Sequence, residues 1–202
     1  MLDKLFSSFI FLLCFLSAGC VTHFSSESNI AKSQLSPQEK ALASSYNFNV
    51  PCHISVNASD DMAGHNDSMW YDTPFGYKDI YHYPLRTLLN GCFNNLVCGP
   101  FEQSKGNLLN SFELRIEPQS SLLLVDGAKA QYKLVLYISL YEPGGNKIVS
   151  WSIDKTNSGL MESPNEVPDV VYKTIKEIAM DVLKRISTDN KVMSTVSRYS
   201  DK

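Results

Sequence analysis

Charge is sparse in this sequence and nowhere gathered. Charged residues make up 19% of the chain, with 18 Lys and Arg against 21 Asp and Glu, for a net charge of −3. There is no basic run and no aromatic-plus-basic ribbon, which excludes a nucleic-acid partner. Long apolar runs are equally scarce. The exception, Leu5 to Leu16, is broken by Ser7 and Ser8 and falls short of the ~20 residues a spanning helix needs. Catalytic signatures are missing too. No G-x-S-x-G elbow and no Gly-rich phosphate loop follows a strand-like segment. The acidic stretch with Asp60, Asp61, His65, Asp67 and Asp72 has no metal-ligand spacing. The expectation is therefore no metal, no other cofactor and no enzymatic activity.

What is present begins at the amino terminus. Lys4, the short apolar run and the small residues after it form a secretory signal. Those residues read Leu16-Ser17-Ala18-Gly19-Cys20, which resembles the lipobox of bacterial lipoproteins. The resemblance implies a diacylated Cys20 thiol, cleavage after Gly19 and acylation of the new amine. Residues 1–19 would be the signal peptide. Val21 and Thr22 differ from the aspartate-type retention signal, which implies an outer-membrane anchor facing the periplasm. The lipid on Cys20 would be the membrane contact, since several acyl chains anchor durably.

Residues 21–45 hold seven serines, so 20–45 reads as a lipidated flexible tether. Ser36-Pro37-Gln38-Glu39 is a capping box with proline at the first helical position, which predicts a short helix over 37–44. A single domain over 46–190 follows. Val50 to Asn57 alternates with period two and predicts a strand. Residues 58–83 show no periodicity. Leu85, Leu88, Leu89, Cys92, Phe93, Leu96 and Val97 form one helical stripe, stopped by Gly99-Pro100. Three strands then come: Phe112 to Glu117, resuming through Leu122 to Val125 after a break at Pro118; Lys129 to Tyr141; and Ile148 to about Thr156, joined by turns at Asp126-Gly127 and Pro143 to Asn146. A helix from near Pro168 to Ser187 carries Val171, Ile175, Ile178, Ala179, Val182, Leu183 and Ile186 inward. Residues 191–202 read as a frayed tail.

The order β-α-β-β-β-α predicts an α+β two-layer sandwich: a four-stranded, mostly antiparallel sheet with two helices on one face. This layout resembles small envelope lipoproteins, including the lipopolysaccharide-assembly lipoprotein, transporter auxiliary lipoproteins and the amino-terminal part of curli-secretion lipoproteins. The Val-Thr-His-Phe that follows Cys20 departs from the Gly-Phe-His-Leu-type start of the lipopolysaccharide-assembly proteins.

Cys52, Cys92 and Cys98 remain once Cys14 leaves and Cys20 is lipidated, in a compartment that permits disulfides. Cys92 and Cys98 lie about 9 Å apart along a helix axis, too far for a bridge. The end of the first helix should return towards the first strand, so the expected pair is Cys52–Cys98, with Cys92 a buried core residue.

Trp70, Tyr71, Phe75, Tyr77 and Tyr81 cluster in the unpatterned segment and are the partner-binding candidates, since such rings are enriched at recognition surfaces. Val135, Tyr137 and Tyr141 fall on the side of their strand that the helices leave uncovered. These features favour a non-enzymatic envelope protein that binds or helps assemble another envelope protein or lipid. The second reading is a lipid or glycolipid carrier with a cavity between sheet and helices, and the third a hydrolase.

Overall fold

The computed structural model describes residues 21–23, 36–44, 50–58, 62–65, 80–83, 85–97, 111–126, 128–160 and 166–200. Its strands are β1 (Val21–His23), β2 (Cys52–Val56), β3 (Met62–His65), β4 (Ile80–Tyr83), β5 (Phe112–Asp126), β6 (Lys129–Tyr141) and β7 (Lys147–Leu160). Its helices are α1 (Pro37–Ser44), α2 (Leu85–Leu96), α3 (Val167–Thr188) and α4 (Asn190–Ser200). The α+β architecture, with helices laid on one face of a sheet, follows the expected order.

β5, β6 and β7 form the antiparallel meander, joined by connections too short for a crossover. β2 lies parallel to the first half of β5, from Cys52 opposite Phe112 to Val56 opposite Ile116. β3 continues along the same edge, with His65 opposite Leu124. β4 returns antiparallel beside β3, and β1 pairs parallel with β4. Among the described residues the sheet therefore has seven strands, and it is mixed rather than mostly antiparallel. The extra strands come from segments read as tether and loop. Each is three or four residues long, too short for alternation to register.

The two faces follow from parity along β6. Ala130, Tyr132, Leu134, Leu136, Ile138 and Leu140 are all fully buried beneath the helices. In β7, their partners Val149, Trp151 and Ile153 share that side. β5 contributes Phe112, Leu114 and Ile116, then Leu123 and Val125. The switch from even to odd comes from a register shift between Pro118 and Ser120; one extra residue exchanges the faces of everything after it.

α2 buries the stripe Leu85, Leu88, Leu89, Cys92, Phe93 and Leu96. α3 starts with Pro168 in its first turn and buries Val171, Ile175, Ile178, Val182 and Ile186. Burying one such side chain fully stabilises by about 1.5–3 kcal/mol. The Thr174 hydroxyl, inside α3, donates to the Val170 carbonyl at 2.8 Å, so its burial leaves no unmet polar group.

The tail expected to fray from residue 191 is helical. Asp189 ends α3 and caps α4, its carboxylate accepting from the backbone N–H groups of Lys191 (2.8 Å) and Val192 (3.1 Å). Val192, Thr195 and Val196 are buried, and the Tyr199 ring meets Phe112 edge-on at 5.5 Å. That apolar face outweighs the polar composition of the segment.

α1 has the reciprocal cap its sequence spells out. Glu39 N–H donates to Ser36 Oγ at 3.2 Å, and Ser36 N–H to Glu39 Oε2 at 2.7 Å. Glu39 also receives Lys176 Nζ at 2.9 Å, which ties α1 to α3.

A candidate interaction face on the open side of the sheet

The outward parity of β5, β6 and β7 gathers a cluster at the end of the sheet where β5 starts and β6 finishes. Cross-strand register sets Glu113 and Lys147 on either side of Tyr141, Arg115 and Ser150 beside Ser139, and Glu117 and Ser152 beside Tyr137. The Arg115 guanidinium donates to the Glu113 carboxylate at 3.1–3.2 Å and lies 4.6 Å from the centre of the Tyr141 ring. Glu113, by hydrogen bonding and then by charge, holds that guanidinium above its ordinary pKa. Lys147 Nζ sits 5.9 Å from the centres of both the Tyr137 and Tyr141 rings, within cation–π range.

A register shift between Leu140 and Tyr141 puts Lys147, rather than Ile148, opposite Tyr141. Ile148 is buried. Hydrogen bonds from Ser150 and then Ser139, with the nearby Lys147 ammonium, draw the Tyr137 phenol below its usual pKa. The result is a pair of tyrosine rings fixed by cations, with hydroxyls and both charge signs around them. Such a surface can grip a partner through rings and paired hydrogen bonds.

Tyr137 and Tyr141 were visible in the alternation of β6. Arg115 and Lys147 were not singled out, because their link to the rings depends on cross-strand register. The aromatic candidates Trp70, Tyr71, Phe75 and Tyr77 lie outside the described residues. Tyr81 is in β4, its backbone opposite Gly64 of β3 and Thr22 of β1. Cys98, the expected partner of Cys52, is likewise outside them. Cys52 is on the helix-facing side of β2, its Sγ 3.8 Å from the His53 carbonyl oxygen. Cys92 is a free, buried thiol, and burial pushes its pKa up to about 12.

Two other places invite a site reading. His53 Nδ1 lies 2.7 Å from Ser111 Oγ, a contact that looks like a serine–histidine pair. Ser111 is only 3% exposed, so its oxygen is not presented to a substrate, and the contact joins β2 to the start of β5. The second is a groove of about 590 Å³ between α1, α3 and β7, lined by Glu39, Lys155, Lys173, Lys176 and Glu177 among others. Four of its charges close on one another. Lys176 meets Glu39, and Lys155 meets Glu177, both at 2.9 Å. Asn157 adds a 3.1 Å hydrogen bond to Glu177. This is an ion-pair seam that docks α1. Among the described residues, no cluster of three or more His, Cys, Asp or Glu is placed to hold a metal. No helix among them is long and apolar enough to cross a membrane.

No family model and no curated protein matches this chain. Solved structures do resemble it. A Xanthomonas campestris protein of family DUF330 is 10% identical, covering 76% of this chain and 88% of its own length, with a TM-score of 0.49. The minor lipoprotein of Acinetobacter baumannii is 15% identical over 69% of this chain and 93% of its own, with a TM-score of 0.37. The rare lipoprotein B of Shewanella oneidensis is 12% identical over 75% and 99%, at 0.31. The likeness is one of layout. It brings no correspondence between individual residues.

Proposed function

We propose that this chain is a non-enzymatic, lipid-anchored protein of the bacterial envelope that binds or helps assemble another envelope protein through the open face of its sheet. The observation that carries the reading is the Tyr137–Tyr141–Arg115–Lys147 cluster on the side the helices do not cover, where Lys147 is exposed and the two rings and Arg115 are half-buried. The anchor is supported by Leu16 to Cys20, whose pattern fits acylation of the cysteine. Outer-membrane attachment with the domain in the periplasm agrees with Val21 and Thr22 after the cysteine. The carrier reading draws less support, because large side chains fill the layer between sheet and helices.

The test is site-specific photocrosslinking in native membranes. A crosslinker at Ser152, beside Tyr137 on the open face, should give one discrete protein adduct. Arg115→Glu with Lys147→Glu should abolish that adduct while leaving the fold and membrane fraction unchanged. An adduct indifferent to the double charge reversal rejects this face as the binding surface.

A further inference from the structure

The strand register supplies an orientation. β1 begins at Val21, one peptide unit from Cys20, so the two Cα atoms are about 3.8 Å apart. β1 belongs to the sheet, with Val21 opposite Ile80. The same row continues through His65, Leu124, Gln131 and Ser158. At strand spacings near 4.8 Å it crosses the sheet in roughly 24 Å. One end of the sheet is therefore held beside Cys20, and it is the end where β5 turns into β6 and where β7 stops.

The same end exposes apolar side chains. Of the three exposed large hydrophobics among the described residues, Leu160 and Leu122 lie towards this end, and Met193 is on α4. Leu160 is 84% exposed and paired with Lys129 in the terminal row, and Leu122, 44% exposed, lies on the open face a few rows in. The β6–β7 turn at the opposite end is polar. There Gly144 and Gly145 turn the chain with positive φ, and Asn146 Nδ2 donates to Glu142 at 3.0 Å.

We infer that the β1–β4 pairing staples the lipid-bearing residue to the sheet, so that the Lys129–Leu160 end rests on the bilayer surface and the Tyr137–Tyr141 cluster points away from it. This rests on lipidation of Cys20, and the membrane is the occupant because the lipid enters it beside this end. Lys129 adds a cation whose stem can lie along apolar surface while its head meets anionic headgroups. The anchor thus sets the direction in which the open face is presented. A lone flexible tether would leave it free.

The test uses the full lipidated chain on vesicles of phosphatidylethanolamine and phosphatidylglycerol that carry a headgroup nitroxide lipid. A fluorescent amino acid is placed either at Leu160 or at Asn146, positions roughly 40 Å apart along β7. Quenching at 160 should exceed quenching at 146 by at least ~5-fold, since that separation is several times the reach of contact quenching. Inserting about twelve Gly and Ser residues between Cys20 and Val21 should leave the chain on the vesicles and bring the ratio towards one, because such a linker spans roughly 20 Å as a coil. Failure of the lipidated chain to bind vesicles, or continued binding of Cys20→Ala, overturns the anchor and the orientation together. Binding that needs Cys20 but quenches both positions alike overturns the orientation alone. A ratio unchanged by the insertion also overturns it, since β1 would then not be what orients the domain.

Discussion

β6 presents two surfaces from one strand. Its even residues are fully buried and, apart from the Tyr132 hydroxyl, apolar; its odd residues, Lys133, Val135, Tyr137, Ser139 and Tyr141, are varied, and Lys133, Tyr137 and Tyr141 meet charged partners across the strands. The inner side is fixed by volume and dryness. The outer side is fixed by pairwise geometry across strands, with weak individual contacts. Stability and recognition are thereby separated onto opposite parities of the same residues.

Substitutions should expose that separation, and the largest effect should come from the inner side. Leu136→Ala, at a fully buried position, should destabilise by about 2–5 kcal/mol through lost transfer energy and a cavity, read from urea unfolding. A loss below about 1 kcal/mol would mean that the layer is not close-packed.

Tyr132→Phe comes next. It removes the 2.8 Å hydrogen bond between the phenol and Ser121 and should cost about 0.5–1.5 kcal/mol. On the outer side, Tyr141→Ala should change stability by no more than about 0.5 kcal/mol, as surface changes do, and yet remove the photocrosslinked adduct. Unfolding as severe as that of Leu136→Ala would erase the distinction between the faces.

Two further tests sharpen the contrast by protonation. Cys92, its pKa raised to about 12 by burial, should resist alkylation near pH 8 until denaturant opens the core, while the other thiols react according to their own exposure; peptide mapping by mass spectrometry reads this. Early labelling of Cys92 would show that the helix layer opens readily.

The second protonation test concerns Glu39. Burial raises its pKa, but the Lys176 ammonium and the Ser36 backbone and hydroxyl more than offset this and leave it below the ordinary value. A depressed acid stabilises above the unfolded-state pKa, near 4.3, and loses that contribution as pH falls through the lower folded value. Glu39→Gln should therefore flatten the acid limb of stability below about pH 4 and cost at most ~1 kcal/mol at neutral pH, as a partly exposed pair does. An unchanged acid limb would place the acid sensitivity elsewhere.

The core elements were readable because they are long and strongly periodic. β6 was assigned over Lys129–Tyr141 from alternation alone, and the α2 stripe from Leu85 to Val97 is buried throughout. What was missed has specific causes. β5 changes parity after Pro118, so Leu122 and Leu124 face outward although they sit in an unbroken apolar run with Leu123 and Val125. β3 and β4 are four residues each, below the length at which a period can be counted. In α4, Val192, Thr195, Val196 and Tyr199 follow helical spacing, but they are few among polar neighbours. The Arg115–Tyr141–Lys147 cluster spans three strands, and its register depends on a one-residue shift that composition does not encode.

The contact between Tyr199 and Phe112 has a temporal consequence. Phe112 opens β5, whereas Tyr199 follows it by 87 residues in the sequence. A chain that emerges from its amino terminus can pair β5 with β6 and β7 early, yet the first ring of β5 stays wet until α4 arrives. A chain cut before α4 should therefore keep the β5–β6–β7 pairing while the Phe112 ring loses its Tyr199 cover.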